Sequence, residues 1–185
     1  MGVFRREFVE ALSLLARACE EVVRQGYPRP ILVGGGAVEF HTRGAIASGD
    51  FDFVTPEHEA FENVLPKYGF VEEKRPGRLM RSFYHPALGL AAEVISGSLY
   101  DGRSEVDRIR LVEIIEGQRV AVPPVEDLIA DRLGQHTEDG RRAMLEQAVA
   151  MYKLAFELDE AYLDRRIRLE THGDHDLAFL QEQAK

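Results

Sequence analysis

The sequence predicts an α/β (α+β) fold: a mixed sheet flanked by helices, followed by a helical C-terminal segment. Three observations predict it. Short apolar or alternating runs separated by Gly- and Pro-bearing turns recur between residues 31 and 122, as strands do. Segments with a three- and four-residue apolar period stand before the first of these runs and again after Pro124. Between the first two runs, three glycines follow an apolar stretch and open a two-turn helix. The expected organisation is an α/β core over residues 1–124, including the N-terminal helix, and a helical region over 125–185.

Phe4, Phe8, Leu12, Leu15, Ala18 and Val22 recur at helical spacing and predict an amphipathic helix over about residues 3–25, which "GYPRP" ends. "ILVG" reads as a short buried strand, "AVEFHTR" as two helical turns and "FDFV" as an alternating strand. In "TPEHEAFENVLPKYG", Thr55 is the expected N-cap, Pro56 the first helical residue, and Ala60, Phe61 and Leu65 the buried stripe. "FVEEK", "RLMRSFYH", "LAAEVIS", "RLVEIIE" and "QRVAVP" are strand candidates. Then come helical periods in "VEDLIADRLGQH", "TEDGRRAMLEQAVAMYKLAFEL" and "DEAYLDRRIRLE", the last capped by Asp159, and a short helix in the tail.

With 185 residues the chain is long enough to bury a core without staples. A net charge of −9 argues against a broad nucleic-acid-binding face, which shows as a basic stripe. It leaves a nucleotide substrate open, because a divalent cation can stand between carboxylates and phosphates. No run is long enough to cross a bilayer, and "MGVFRREFVE" lacks the apolar stretch of a signal peptide. Together with a single cysteine, Cys19, placed at core spacing in the first helix, this predicts a cytoplasmic protein without disulfides.

The chemistry concentrates in "ILVGGGAVEFHTRGAIASGDFDFV". On a strand, Asp50 and Asp52 share one face while Phe51 and Phe53 enter the core on the other. Paired carboxylates repel, and magnesium suits the space between them because it takes one or two carboxylates, substrate phosphates and water. Asp-Phe-Asp alone is more often the polar face of an edge strand in solvent. Gly34, Gly35 and Gly36 leave bare backbone N–H groups at a helix start, an anion site, or else make a tight turn that needs positive φ. A P-loop is excluded, since no Gly-Lys-Ser/Thr follows. In a dinucleotide fingerprint begun at Gly34, the third glycine falls on Glu39, which weakens that reading, while Asp52 near the place of a ribose-binding acid keeps it open.

Glycines and acids together, "VGGGAVEFHTRGAIASGDFDFV" resembles the signature of the nucleotidyltransferase superfamily with a DNA polymerase β-like core: Gly-Gly or Gly-Ser, a gap, then Asp-apolar-Asp/Glu-apolar. Ser48 matches the hydroxyl residue often found before the first acid in bacterial members related to abortive-infection and toxin–antitoxin nucleotidyltransferases. "VPPVEDLIADRL" resembles the Pro-x-x-Asp/Glu-Leu-Ile-x-x-Lys-Leu segment opening their helical region, with Arg132 in the place of Lys. The resemblance implies a mixed sheet and a third carboxylate on a later strand, for which Glu93 in "GLAAEVIS" is the candidate and Asp101 and Asp107 the fallbacks. It implies magnesium, or manganese in its stead, on Asp50, Asp52 and Glu93, with Gly34, Gly35, Gly36 and Ser48 at the phosphates. It further implies transfer of a nucleoside monophosphate from a nucleoside triphosphate, ATP first, to a hydroxyl of a protein, nucleic acid or small molecule. The alternative is an inactive member of that fold, acting as an antitoxin-like regulator on a cognate protein partner. A homodimer is also open, through the apolar period of residues 143–158.

Other clusters carry plainer readings. "KRPGRLMR" gathers Lys74, Arg75, Arg78 and Arg81 on a hairpin, either toward a triphosphate or in solvent. Asp127 and Asp131 lie on one helical face, read as solvated. His172, His175 and their aspartates are read as surface residues opening the last helix.

Overall fold

The computed structural model describes residues 4–73 and 81–185. Helix α1 (Arg6–Arg24) buries Phe8, Leu12, Leu15, Cys19 and Val22, as its period predicts. Strand β1 (Ile31–Val33) runs straight into α2 (Gly34–His41), and β2 (Asp50–Val54) returns antiparallel to β1 with Val33 opposite Asp52. After α3 (His58–Val64) and a 3₁₀ turn come β3 (Val71–Glu73), β4 (Ser82–His85), β5 (Leu90–Ser96), β6 (Arg110–Ile115) and β7 (Gln118–Val122). The described strands form one seven-stranded sheet in the order β3-β4-β5-β2-β1-β7-β6. Its β2–β5 and β1–β7 pairs are parallel and the remaining pairs antiparallel. That mixture is the expected α/β architecture. An antiparallel β1–β2 pair is incompatible with the parallel βαβ unit of a dinucleotide-binding fold.

Period-2 alternation does on β2 what the sequence predicts. Phe51 and Phe53 are fully buried, Phe51 stacking on Phe8 with centroids 5.0 Å apart and Phe53 against Phe61 at 4.8 Å. Asp50 and Asp52 are thereby turned to the opposite face. Burying the two rings fixes the register, because a one-residue slip would put both carboxylates into the core.

The helical region contains α4 (Val125–Asp139), α5 (Arg142–Leu154), α6 (Glu160–Glu170) and α7 (Leu177–Gln183). Asp159 caps α6 by accepting from Tyr162 N–H at 2.9 Å, and Asp176 caps α7. The period read as one helix over 137–158 is divided: Gly140 adopts a left-handed conformation (φ 66°) and ends α4. The third helix also starts later than its Thr55–Pro56 signal, because Thr55 still belongs to the sheet margin, its N–H bonded to Ser96 O.

The largest departure from the sequence reading is Asp127. It is fully buried and accepts from Ser104 Oγ, from Tyr162 Oη at 2.8 Å and from Arg166 Nε. Arg166 also donates to Arg103 O at 2.9 Å and Glu170 Oε1 at 2.6 Å. This network ties α4 and α6 to the segment after β5, a tertiary partnership that an i,i+4 spacing of acids does not reveal. Removing one member of a buried ion pair strands the other, so Asp127→Ala is expected to lower stability by about 3–5 kcal/mol. Tyr162→Phe should lower it by about 1 kcal/mol, both read from urea unfolding midpoints.

Candidate active site

A cleft of about 530 Å³ opens on the outward face of β2, within the usual size of small-molecule sites. Gly34 and Gly35, Ser48 to Asp50, and Asp52 form one wall; Ser96, Ser98, Tyr100 and Asp101 form its far end. Asp131, Arg132 and Gln135 of α4, with Arg141 and Gln147, form the other wall.

The three glycines have separate duties. Gly34 has φ +60°, and a Cβ built there would lie 2.0 Å from Asp52 Oδ2. A Cβ on Gly35 would lie 2.3 Å from Ser48 Oγ and 3.3 Å from Asp50 Oδ1. Gly34 needs bare backbone because the Asp52 carboxylate lies directly upon it, and Gly35 because the Ser48 hydroxyl does, with Asp50 just beyond. Gly36 is different: its Cβ would meet Phe51 Cδ1 at 2.9 Å, so its bareness lets α2 pack on β2. Ser48 Oγ donates toward Asp50, 3.0 Å from its carbonyl and 3.1 Å from Oδ1.

Glu93 is the direct register partner of Asp52 across the parallel β2–β5 pair, so the two side chains project on the same face. Asp52 feels both of the other acids. Burial pushes the Asp52 carboxyl up to about 6, and the charges of Asp50 and Glu93 add to that shift. Arg132 and the N–H of Gly35, which donates to Asp52, oppose it. Asp101, a fallback candidate, reaches the far end of the cleft; Asp107 lies outside it in a 3₁₀ turn.

Sequence reasoning missed the α4 wall. Asp131 was read with Asp127 as a solvated face, yet burial raises its carboxyl above the ordinary value while Arg132 and Gln135 oppose the rise. Arg132 is nearly buried, donating from Nη1 to Asp131 at 2.9 Å and from Nε to Gln147 at 2.8 Å. These contacts hold its guanidinium at the cleft, close enough for Asp52 to feel its charge. Its place in the "VPPVEDLIADRL" segment was the available signal. At the far end, Tyr100 (φ 44°) and Asp101 (φ 53°) are consecutive left-handed residues without glycine, a strained pair that Arg103 Nε stabilises by donating to Tyr100 O at 3.0 Å. Of the basic cluster, Lys74, Arg75 and Arg78 lie outside the described residues, and Arg81 is paired with Glu62 and Glu72. His175 stacks on Phe179 with centroids 3.9 Å apart.

No protein-family model and no curated protein matches the sequence. Solved structures do. An antigenic nucleotidyltransferase-like protein from Paracoccidioides brasiliensis superposes with a TM-score of 0.62 at 13% identity, covering 97% of this chain and 94% of that one. The chain has a nucleotidyltransferase fold. The solution structure of the antibiotic-resistance factor ANT(2″)-Ia shares it with a TM-score of 0.55 at 14% identity, covering 95% of this chain and 92% of that one. The crystal structure of ANT(2″)-Ia with adenylyl-2″-tobramycin gives 0.52 at 12% identity, over 96% of this chain and 98% of that one. In this nucleotidyltransferase fold the seven strands, the helical region and the cleft between them fall within the matched length. Among the described residues no helix is long and apolar enough to cross a membrane.

Whether the acids suit a metal is a question of donors. Among the described residues no three His, Cys, Asp or Glu side chains are gathered closely enough to hold an ion by themselves. Asp50 and Asp52 offer carboxylate oxygens on one face, beside a backbone cradle. That set fits magnesium, which completes its coordination with phosphates and water and seldom occupies an all-protein cage.

A carboxyl raised in the folded state binds its proton more readily folded than unfolded. Its contribution to stability therefore falls as pH rises from about 4 to about 6 and stays low above that. Asp52→Asn is accordingly expected to raise the melting temperature of the metal-free protein at pH about 7.5 and to change it little at pH about 4. Magnesium should raise the wild-type melting temperature at the higher pH and leave that of Asp52→Asn unchanged. Gly34→Ala, whose Cβ displaces the Asp52 carboxylate, should also abolish the magnesium response. Thermal melts across pH, with and without magnesium, read all three.

Proposed function

We propose that the protein is a metal-dependent nucleotidyltransferase that moves a nucleoside monophosphate from a nucleoside triphosphate, ATP first among them, to an acceptor hydroxyl. The observation that carries the reading is the close approach of Gly34 to the Asp52 carboxylate, with Gly35 against Ser48 and Asp50, in one cleft. Backbone shaped to receive an anion lies directly against paired acids. A triphosphate and a divalent cation together are the ligand for which both halves make sense.

In this reading the N–H groups of the Gly34–Gly36 turn that Asp52 does not take bind phosphate oxygens, while the Ser48 hydroxyl, whose one proton goes to Asp50, orients that acid. Arg132, held by Asp131 and Gln147, supplies a fixed positive charge on the opposite side of the cleft. Asp50 and Asp52 would hold magnesium or manganese, with Glu93, opposite Asp52 on β5, as the third acid. When bound, the ion neutralises charge on the phosphates and lowers the pKa of a coordinated hydroxyl. The rest of the work is positioning: the α-phosphoryl group is held between leaving pyrophosphate and incoming hydroxyl, and the walls exclude water. The far end of the cleft, at Ser96, Ser98 and Tyr100, is where an acceptor has room. Because one fold neighbour was solved with adenylyl-2″-tobramycin, a hydroxyl-bearing small molecule is the first class to try, ahead of protein and nucleic acid.

The test is incubation with α-labelled triphosphates, magnesium and candidate acceptors or a cell extract. Wild type should transfer label and release pyrophosphate, with ATP preferred. Asp50→Ala/Asp52→Ala should lose transfer altogether, and Arg132→Ala should lose about 10²-fold. Undiminished transfer by the double variant would overturn the assignment. At low magnesium ATP, kcat/KM should also fall as pH drops through about 6, where Asp52 of the unloaded protein takes up a proton.

A further inference from the structure

We propose that Arg5 and Glu39 are positioning residues, a clamp with a buried carboxylate and a partly exposed guanidinium that sets Ser48 and through it the carboxylate of Asp50. The purpose given to the clamp rests on the nucleotidyl-transfer reading; its existence does not.

Glu39 lies on α2, the helix whose first residues form the glycine cradle, and it is fully buried. Its Oε1 accepts from Arg5 Nε at 3.0 Å, and its Oε2 accepts from Arg5 Nη2 at 2.7 Å and from Ser48 N–H at 2.6 Å. The same Arg5 Nη2 donates to Ser48 O at 2.6 Å. Both backbone polar groups of Ser48 are thus gripped by the two members of one ion pair. What remains of Ser48 is its hydroxyl, which donates toward Asp50. The connection runs without a gap from the residue preceding α1 to the first acid of the cleft.

Glu39 is fully buried and Arg5 only partly so, and burying a charge in an ion pair is a weak way to stabilise a core. Replacing such a pair by apolar side chains of similar volume is often neutral or stabilising. What apolar residues cannot do is hold an N–H and a C=O of the same loop residue at once. The loop over residues 42–49 needs that hold. It leaves α2 through the left-handed residues Arg43 and Gly44, and must deliver Ser48 between the Gly35 backbone and Asp50. A bidentate guanidinium supplies two fixed directions, one to the carboxylate and one to the carbonyl, which the single ammonium of lysine cannot match.

The experiment compares wild type, Arg5→Met/Glu39→Leu and Arg5→Lys by three readouts: melting temperature, affinity for magnesium ATP by calorimetry, and amide hydrogen exchange over residues 44–50. The clamp predicts that the apolar double variant keeps its melting temperature, exchanges faster over 44–50 and binds magnesium ATP at least about tenfold more weakly. If the double variant fails to fold, Arg5→Lys should show the same loosening and weakening. A folded variant with unchanged exchange over 44–50 and unchanged magnesium ATP affinity overturns the proposal. If wild type itself binds no magnesium ATP, the nucleotidyl-transfer reading falls, and exchange over 44–50 alone decides for or against the clamp.

Discussion

Asp52 is a carboxylate placed where it cannot comfortably keep its charge. Burial, the neighbouring Asp50 and the cross-strand Glu93 all favour its protonated form, and only one backbone N–H and a distant guanidinium favour the ionised one. An apolar residue would fill the Asp52 position at lower cost. On the proposed reading, a cation is what makes the crowding reasonable. The remainder of the fold can be understood as what keeps those acids crowded.

Several independent constraints do this. Phe51 and Phe53 lock the register of β2 by filling the core beneath the sheet, so neither aspartate can turn inward. The parallel pairing of β2 with β5 sets Glu93 opposite Asp52. Gly34 lets the start of α2 approach the Asp52 carboxylate, and Gly35 lets it approach Ser48, as no side-chain-bearing residue would. From the other side, α4 delivers Arg132, immobilised by Asp131 and Gln147, as the counter-charge. The buried Asp127–Arg166–Glu170 network fixes α6 and the strained Tyr100–Asp101 turn at the far end of the same cleft. Stability here is spent on holding polar groups in place.

Most of the sheet was legible in the sequence, because alternation and apolar runs are local signals: β1, β2, β5, β6 and β7 fall where the pattern puts them. The same locality made Asp50 and Asp52 readable as a pair sharing one face, and marked Glu93 as a charge inside an apolar strand. Three features were not legible. Glycines 34 to 36 look alike in sequence, and only the packing of α2 on β2 separates the two that face the carboxylates from the one that faces Phe51. Asp127 and Asp131 carry the spacing of a solvated helix face; that α4 lies against the sheet and α6 is tertiary information. Arg5 and Glu39 stand 34 residues apart, and nothing in either segment announces that both close on Ser48. In each case the missing knowledge is which side of an element is covered, which periodicity does not contain.

The most direct test of the central claim is a carbon-13 NMR titration of the aspartate side-chain carboxyls, with Asp52 assigned by its absence in Asp52→Asn. The account predicts that Asp52 titrates near 6 without metal and moves well below that value when magnesium and a non-hydrolysable ATP analogue are added. An Asp52 that titrates as an ordinary aspartate, and ignores magnesium and nucleotide alike, would contradict it.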